Sequence, residues 1–219
     1  MIVNEITSGI IAIVIAYLLG SIPTAYIVTR LATGKDIRQL GGGNVGARNV
    51  FHEVGRVAGI AVAIFDTGKG VAAVIIAHRL LNVPLFEPQL FTLLAAGAVV
   101  VGHIWSVYLK FTGGNGLATS LGVLVIIMPK GLLIVLTLTL VLIIITRNPI
   151  LSMNISLILV PISAWFLEKS MQLVVFTAVL ILIMLFNFLP TFRAALVKAG
   201  SAENLSDEVL RRGRGKGGE

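Results

Sequence analysis

The sequence predicts an all-α fold: a polytopic membrane helical bundle of seven transmembrane helices, N-terminus out and C-terminus in. Three observations lead there. Of 219 residues, 57% are hydrophobic and 12% charged, against roughly 45–50% and about 25% in a soluble domain, and the mean hydropathy is +0.99. Seven apolar stretches recur along the chain, most of them near the length of a bilayer-crossing helix. The basic residues then fall in alternate loops. Together these features exclude a soluble globular enzyme and leave no room for a separate soluble catalytic domain.

The first stretch, Ile10 to Leu31, follows Glu5 with no basic residue ahead of it and no small-residue cleavage site behind it. It therefore reads as a retained helix rather than a signal peptide. Gly55 to Leu81 and Leu90 to Tyr108 come next. Leu117 to Met128 and Leu132 to Ile145 are short, about 20 Å each at a helical rise of 1.5 Å per residue, below a hydrocarbon core of about 30 Å. They can be joined into one long helix, but Pro129-Lys130-Gly131 between them favours a turn. Ile150 to Leu167 and Met171 to Leu189 complete the set.

Charge decides the count. With separate segments, most of the 17 Lys and Arg residues reach one face: Arg30, Lys35, Arg38, Arg48, Arg56, Lys110, Arg147 and the basic residues from Arg193 onward. Only Arg79, Lys130 and Lys169 reach the other, which is the asymmetry of a cytoplasmic against an external face. Merging the two short segments would move the basic tail outside. Residues 1–192 thus read as one transmembrane domain and 193–219 as a basic cytoplasmic tail too polar to fold alone. The net charge of +7 is assigned to the anionic leaflet, with membrane lipids and not nucleic acid as partners. With no cysteine, disulfides, thiolate metal sites and a thioester intermediate on the protein are excluded.

Chemistry concentrates in two loops. Gly41-Gly42-Gly43-Asn44-Val45-Gly46-Ala47-Arg48-Asn49 presents a backbone that side chains do not obstruct, so its N–H groups can converge on an anion; a plain flexible turn is the other reading. A second loop, Gly113-Gly114-Asn115-Gly116, lies two spans further on and so on the same face. Lys35, Arg38, Arg48, His52, His103 and Lys110 surround the pair, enough charge and donors for a phosphorylated ligand. Asp66 and Lys69 share a face of the second apolar stretch, as a functional pair or a structural one. Neither a serine elbow nor a metal-ligand motif is present, and no cofactor is implied. Direct transfer between two bound molecules fits these residues; a binder of phosphorylated ligands and a small-anion transporter also remain open.

Three stretches, Gly20-Ser21-Ile22-Pro23-Thr24-Ala25 through Asn49, Asp66-Thr67-Gly68-Lys69-Gly70, and Gly102-His103-Ile104-Trp105 through Thr119, resemble the bacterial acyl-phosphate:glycerol-3-phosphate acyltransferases of the PlsY type. The resemblance covers about residues 10 to 190. It implies seven helices in the bacterial cell membrane, an active face toward the cytoplasm, and transfer of a fatty acyl group from acyl phosphate to glycerol 3-phosphate without metal or acyl-enzyme. It also implies that Asp66, Lys69 and His103 act in catalysis, His103 orienting the reacting groups. Substrate contacts fall to Gly41, Gly43, Asn44, Gly46, Asn49, Gly113, Gly114, Gly116 and Thr119, with Arg48, His52, Lys110 and Asn115 around the phosphate. The chain departs from the family pattern where Gly42 stands for a serine, Arg48 for a threonine, His52 for an arginine, Ser106 for a proline and Thr112 and Asn115 for lysines. Asn187 stands where the last helix usually offers a histidine. These exchanges keep open a relative that binds a phosphorylated lipid or metabolite without this transfer.

Overall fold

The break in the first apolar stretch is dictated by Pro23, which has no N–H to continue a helical ladder and whose ring collides with the preceding turn. In the computed structural model, which describes residues 2–147 and 149–199, α1 (Ile2–Ser21) stops there and α2 (Thr24–Thr33) resumes. The sequence reading of one uninterrupted helix over Ile10 to Leu31 is corrected accordingly. Gly34, at φ 71°, closes α2 with its N–H on the Arg30 carbonyl at 3.0 Å, a left-handed cap that glycine adopts without strain. A 3-10 turn (Ile37–Gln39) and the short α3 (Ala47–Glu53) carry the chain to α4 (Arg56–Leu81).

The chain divides into two compact units, Met1–Pro129 and Lys130–Glu219. In the first, α5 (Leu90–Ile104) ends sooner than its apolar stretch suggests, and Val107–Leu109 form a 3-10 turn. Helix α6 (Leu117–Ile127) follows, with Gly116 at φ 83° as its N-cap. Glycines let the backbones approach. A side chain at Gly20 would strike Val99, one at Gly102 would strike Tyr17 and Ser21, and one at Gly9 would strike Phe91. These contacts advance together along both chains, so α1 and α5 run parallel and finish side by side at Ser21 and His103. Gly70 against Thr119 and Gly122 against Thr67 join α4 to α6 in the same way.

The second unit contains the rest. Helix α7 (Pro129–Thr146) starts one residue after α6 has ended, with Met128 as the cap of α6, so the two short stretches are separate helices. Helices α8 (Pro149–Ile158) and α9 (Val160–Ser163) run into a π-helical turn, Ala164–Glu168, before α10 (Met171–Ala199). Buried polar side chains here bond back to their own helices, which leaves no hydroxyl unpaired in an apolar interior: Ser156 to the Ser152 carbonyl at 2.8 Å and Thr177 to that of Leu173 at 2.7 Å. Helix α10 continues beyond Arg193 to Ala199, into the segment expected to be an unfolded tail; the remainder of that tail, residues 200–219, lies outside the described residues. Among the described residues five apolar stretches are long enough to cross a membrane: Asn4–Thr33, Arg56–Leu81, Pro129–Thr146, Leu151–Glu168 and Met171–Leu189. Leu90–Ile104 and Leu117–Ile127 are shorter apolar helices.

Candidate active site

Asp66 and Lys69 lie three positions apart on α4, so one helical turn brings their side chains together. Lys69 Nζ sits 2.9 Å from Asp66 Oδ1, and both side chains are buried. The same carboxylate oxygen accepts the Thr24 hydroxyl at 2.5 Å and faces His103 Nδ1 at 3.6 Å. Lys69 Nζ also donates to the Ile22 carbonyl at 3.1 Å. Four elements thus converge: the α1–α2 break, the first turn of α2, the middle of α4 and the end of α5. Between them lies a small polar cavity whose walls include Ser21, Thr24, Asp66, Lys69, His103 and Ser106. With Nδ1 turned to Asp66, the other ring nitrogen of His103 abuts Gly114, where an added side chain would collide with Nε2 and with the Val45 carbonyl.

The two glycine loops meet at this point. Val45 donates its amide to the Gly113 carbonyl at 3.3 Å, and Gly114 donates its own to the His103 carbonyl at 3.0 Å. The first loop is tight: Gly41 and Gly43 hold φ of 53° and 72°, a region that favours glycine. The picture of main-chain amides left free for an anion is corrected in part. Those of Gly43, Val45 and Gly114 bond to carbonyls within the protein, and that of Gly42 reaches Asn49 Oδ1 at 3.4 Å. Burial and short loops force this economy, because an unpaired buried amide is costly.

The cations spread over a wider area. Arg38 is forked onto Asp36 at 2.7 Å and lies over the Tyr26 ring, so it braces the turn after α2. That hydrogen-bonded ion pair holds the Asp36 carboxyl below the usual carboxylate range and raises Arg38. Arg48, half-buried in the first turn of α3, has its guanidinium pKa lowered by burial. His52 is exposed beside Phe51, and Lys35, Lys110 and Asn115 are exposed as well.

A family model described as glycerol-3-phosphate acyltransferase matches residues 10–197. The chain belongs to this family. A curated relative, glycerol-3-phosphate acyltransferase 1 of Dehalococcoides mccartyi, is 38% identical over 199 residues, covering 89% of this chain and 94% of its own. The glycerol-3-phosphate acyltransferase of Endomicrobium trichonymphae is 39% identical over 179 residues, covering 81% and 87%. The crystal structure of PlsY, an integral membrane glycerol 3-phosphate acyltransferase, in its glycerol 3-phosphate form superposes with a TM-score of 0.77 at 26% identity, covering 87% of this chain and 93% of that one. Its lysophosphatidic acid form gives 0.75 at 25% identity over the same shares.

Within this acyltransferase chain the sequence candidates separate into three groups. Asp66, Lys69 and His103 come together, with Gly113 and Gly114 against them. Asn49 is an organiser of the first loop: its Nδ2 donates to the carbonyls of Leu40 and Asn44, each at 3.0 Å, and of Ile37 at 3.3 Å. Gly41, Asn44 and Gly46 are packed into that loop, a side chain at Gly41 meeting Asn49 and Glu53 and one at Gly46 meeting Asn44. Thr119 is fully buried, its carbonyl packs on Gly70 at the α4–α6 contact, and it is not among the residues lining the polar cavity. Gly116 shapes the N-terminus of α6. Ser21, Thr24 and Ser106 lay within the stretches that carry the resemblance, but sequence reasoning did not assign them to the site. Pro23 was the available signal, since a broken helix must hand its carbonyls to donors from elsewhere.

Proposed function

We propose that the chain moves a fatty acyl group from an acyl phosphate to the 1-hydroxyl of glycerol 3-phosphate, at the cytoplasmic face of the bacterial cell membrane. The hydroxyl oxygen attacks the acyl carbonyl carbon. A new C–O ester bond forms, the C–O bond to phosphate breaks with its electron pair leaving on phosphate, and the hydroxyl proton passes to a phosphate oxygen. Lysophosphatidate and phosphate result. The observation that carries this reading is the meeting of both glycine loops with Asp66, Lys69 and His103 in a member of the glycerol-3-phosphate acyltransferase family.

In this reading Asp66 holds the His103 ring so that Nε2 faces the loops, where it orients the acyl carbonyl and the attacking hydroxyl. Lys69 balances the buried carboxylate. Glycines 41, 43, 46, 113, 114 and 116 let the loops close on phosphate oxygens, with Arg48, His52, Lys110 and Asn115 at the rim and Asn44, Asn49 and Thr119 holding the frame. The seven crossings, external N-terminus and cytoplasmic C-terminus follow from the charge asymmetry of the loops, with Leu90–Ile104 and Leu117–Ile127 as the short crossings. Purified protein given labelled palmitoyl phosphate and glycerol 3-phosphate tests the activity. Lysophosphatidate should accumulate above an empty-membrane control; ligand-dependent thermal stabilisation without any product would favour a binding protein instead.

A further inference from the structure

At the α1–α2 break the chain leaves one helix at Ser21 and enters the next at Thr24, and side chains distant in sequence take two carbonyls between them. Ser106 Oγ donates to the Ser21 carbonyl at 2.5 Å, and Lys69 Nζ to that of Ile22 at 3.1 Å. Ser106 is 2% exposed. Its own carbonyl accepts the amides of Leu109 at 3.1 Å and Phe111 at 2.8 Å, which builds the turn that leads into the second glycine loop. A single residue therefore ties the broken helix to that loop. From the break, Thr24 reaches Asp66; from the loop, Gly113 receives Val45 and Gly114 holds the His103 carbonyl.

We propose that Ser106 is a positioning residue of the acyl transfer: by capping the Ser21 carbonyl it sets the α1–α2 break, and with it Thr24 and Asp66, in register with His103 and the glycine loops. The inference rests on the transferase reading above. Without the hydroxyl, a buried carbonyl loses its partner, and the break relaxes toward other donors, taking Thr24 from the carboxylate. Ser106 does not touch substrate in this account, so its loss lowers turnover and leaves acceptor affinity in place. A second tie between the same segments, from the Tyr17 hydroxyl to the Trp105 carbonyl at 3.0 Å, provides an internal comparison.

The test compares wild type, Ser106→Ala, Ser106→Cys, Ser106→Thr and Tyr17→Phe as purified proteins in the palmitoyl phosphate assay, with kcat expressed per folded protein from size-exclusion and thermal-melt profiles. Turnover by the wild type first establishes the transferase reading. Ala and Cys should then lower kcat by roughly 10- to 100-fold, the cost of an ångström-scale misplacement, with KM for glycerol 3-phosphate within about 2-fold. Thr should recover most of the loss, and Tyr17→Phe should stay near wild type. Equal kcat in Ala and wild type would overturn the proposal. So would equal losses in Ser106→Ala and Tyr17→Phe, or a loss carried wholly by KM. If Thr fails to fold, Cys against wild type still decides, because Cys keeps the volume and surrenders the strong donor.

Discussion

Asp66 gathers a hydroxyl, an ammonium and an imidazole around one carboxylate oxygen, and its side chain is 1% exposed. Removing one member of such a buried pair leaves the other charge uncompensated, at about 3–5 kcal/mol, whereas replacing both by apolar groups is often neutral. Asp66→Asn should therefore lower both thermal stability in detergent and turnover. The double variant Asp66→Leu with Lys69→Met should regain much of the stability and remain inactive. Recovery of activity along with stability would reduce the pair to an anchor between helices. The three-residue spacing made this pair legible in the sequence. Nothing local revealed Thr24 or His103 as its partners, because α2 and α5 reach Asp66 only through packing.

Helices α4 and α6 approach so closely at Gly70 and Gly122 that an added methyl would meet the backbone of the facing helix. Gly70→Ala should destabilise by about 1–3 kcal/mol, the usual cost of overpacking, and should lower activity by displacing α4 where it carries Lys69. Gly42→Ala is the contrast: the added methyl would meet nothing within 4 Å, and the φ there is not in the left-handed region. A melt series that ranked the two alike would refute close packing as the reason for Gly70. At this scale hydropathy placed a helix in each apolar stretch, but the turn expected at Pro129-Lys130-Gly131 lies one residue earlier, at Met128. Those three residues open α7, which is 18 residues long and not short, because proline is tolerated in a helix's first turn. Hydropathy also misjudged ends. The apolar run to Tyr108 concealed the stop of α5 at Ile104, since apolar residues cover a turn as readily as a helix.

For the molecule as a whole, the absence of cysteine from the chain makes its topology directly accessible to labelling. Asn115→Cys should react with an impermeant maleimide only from the cytoplasmic side, and Phe86→Cys only from outside. Labelling of Asn115→Cys and Phe86→Cys from the same side would remove the premise that the glycine loops face the cell interior. The short α6, 11 residues long, spans only about 16 Å at the helical rise, so a crossing there requires flanking turns or local thinning; such a crossing predicts that Lys130→Cys is labelled from the side opposite to Asn115→Cys.

By itself the sequence determined the solvent of this protein and its helical class, because hydrophobic periodicity and loop charge are local properties that survive without knowledge of the fold, and its three motif stretches carried the resemblance to a family. It also showed which loops can bend closely, since that depends on glycine alone. Tertiary structure decided which candidates share a site. It brought Ser21, Thr24, Asp66, Lys69, Ser106 and His103 around one cavity, and it turned Asn49 and several loop amides inward to hold the frame. The physical reason is that hydrogen-bond partners between segments 40 to 90 residues apart are chosen by how helices pack, and packing is a property of the assembled bundle.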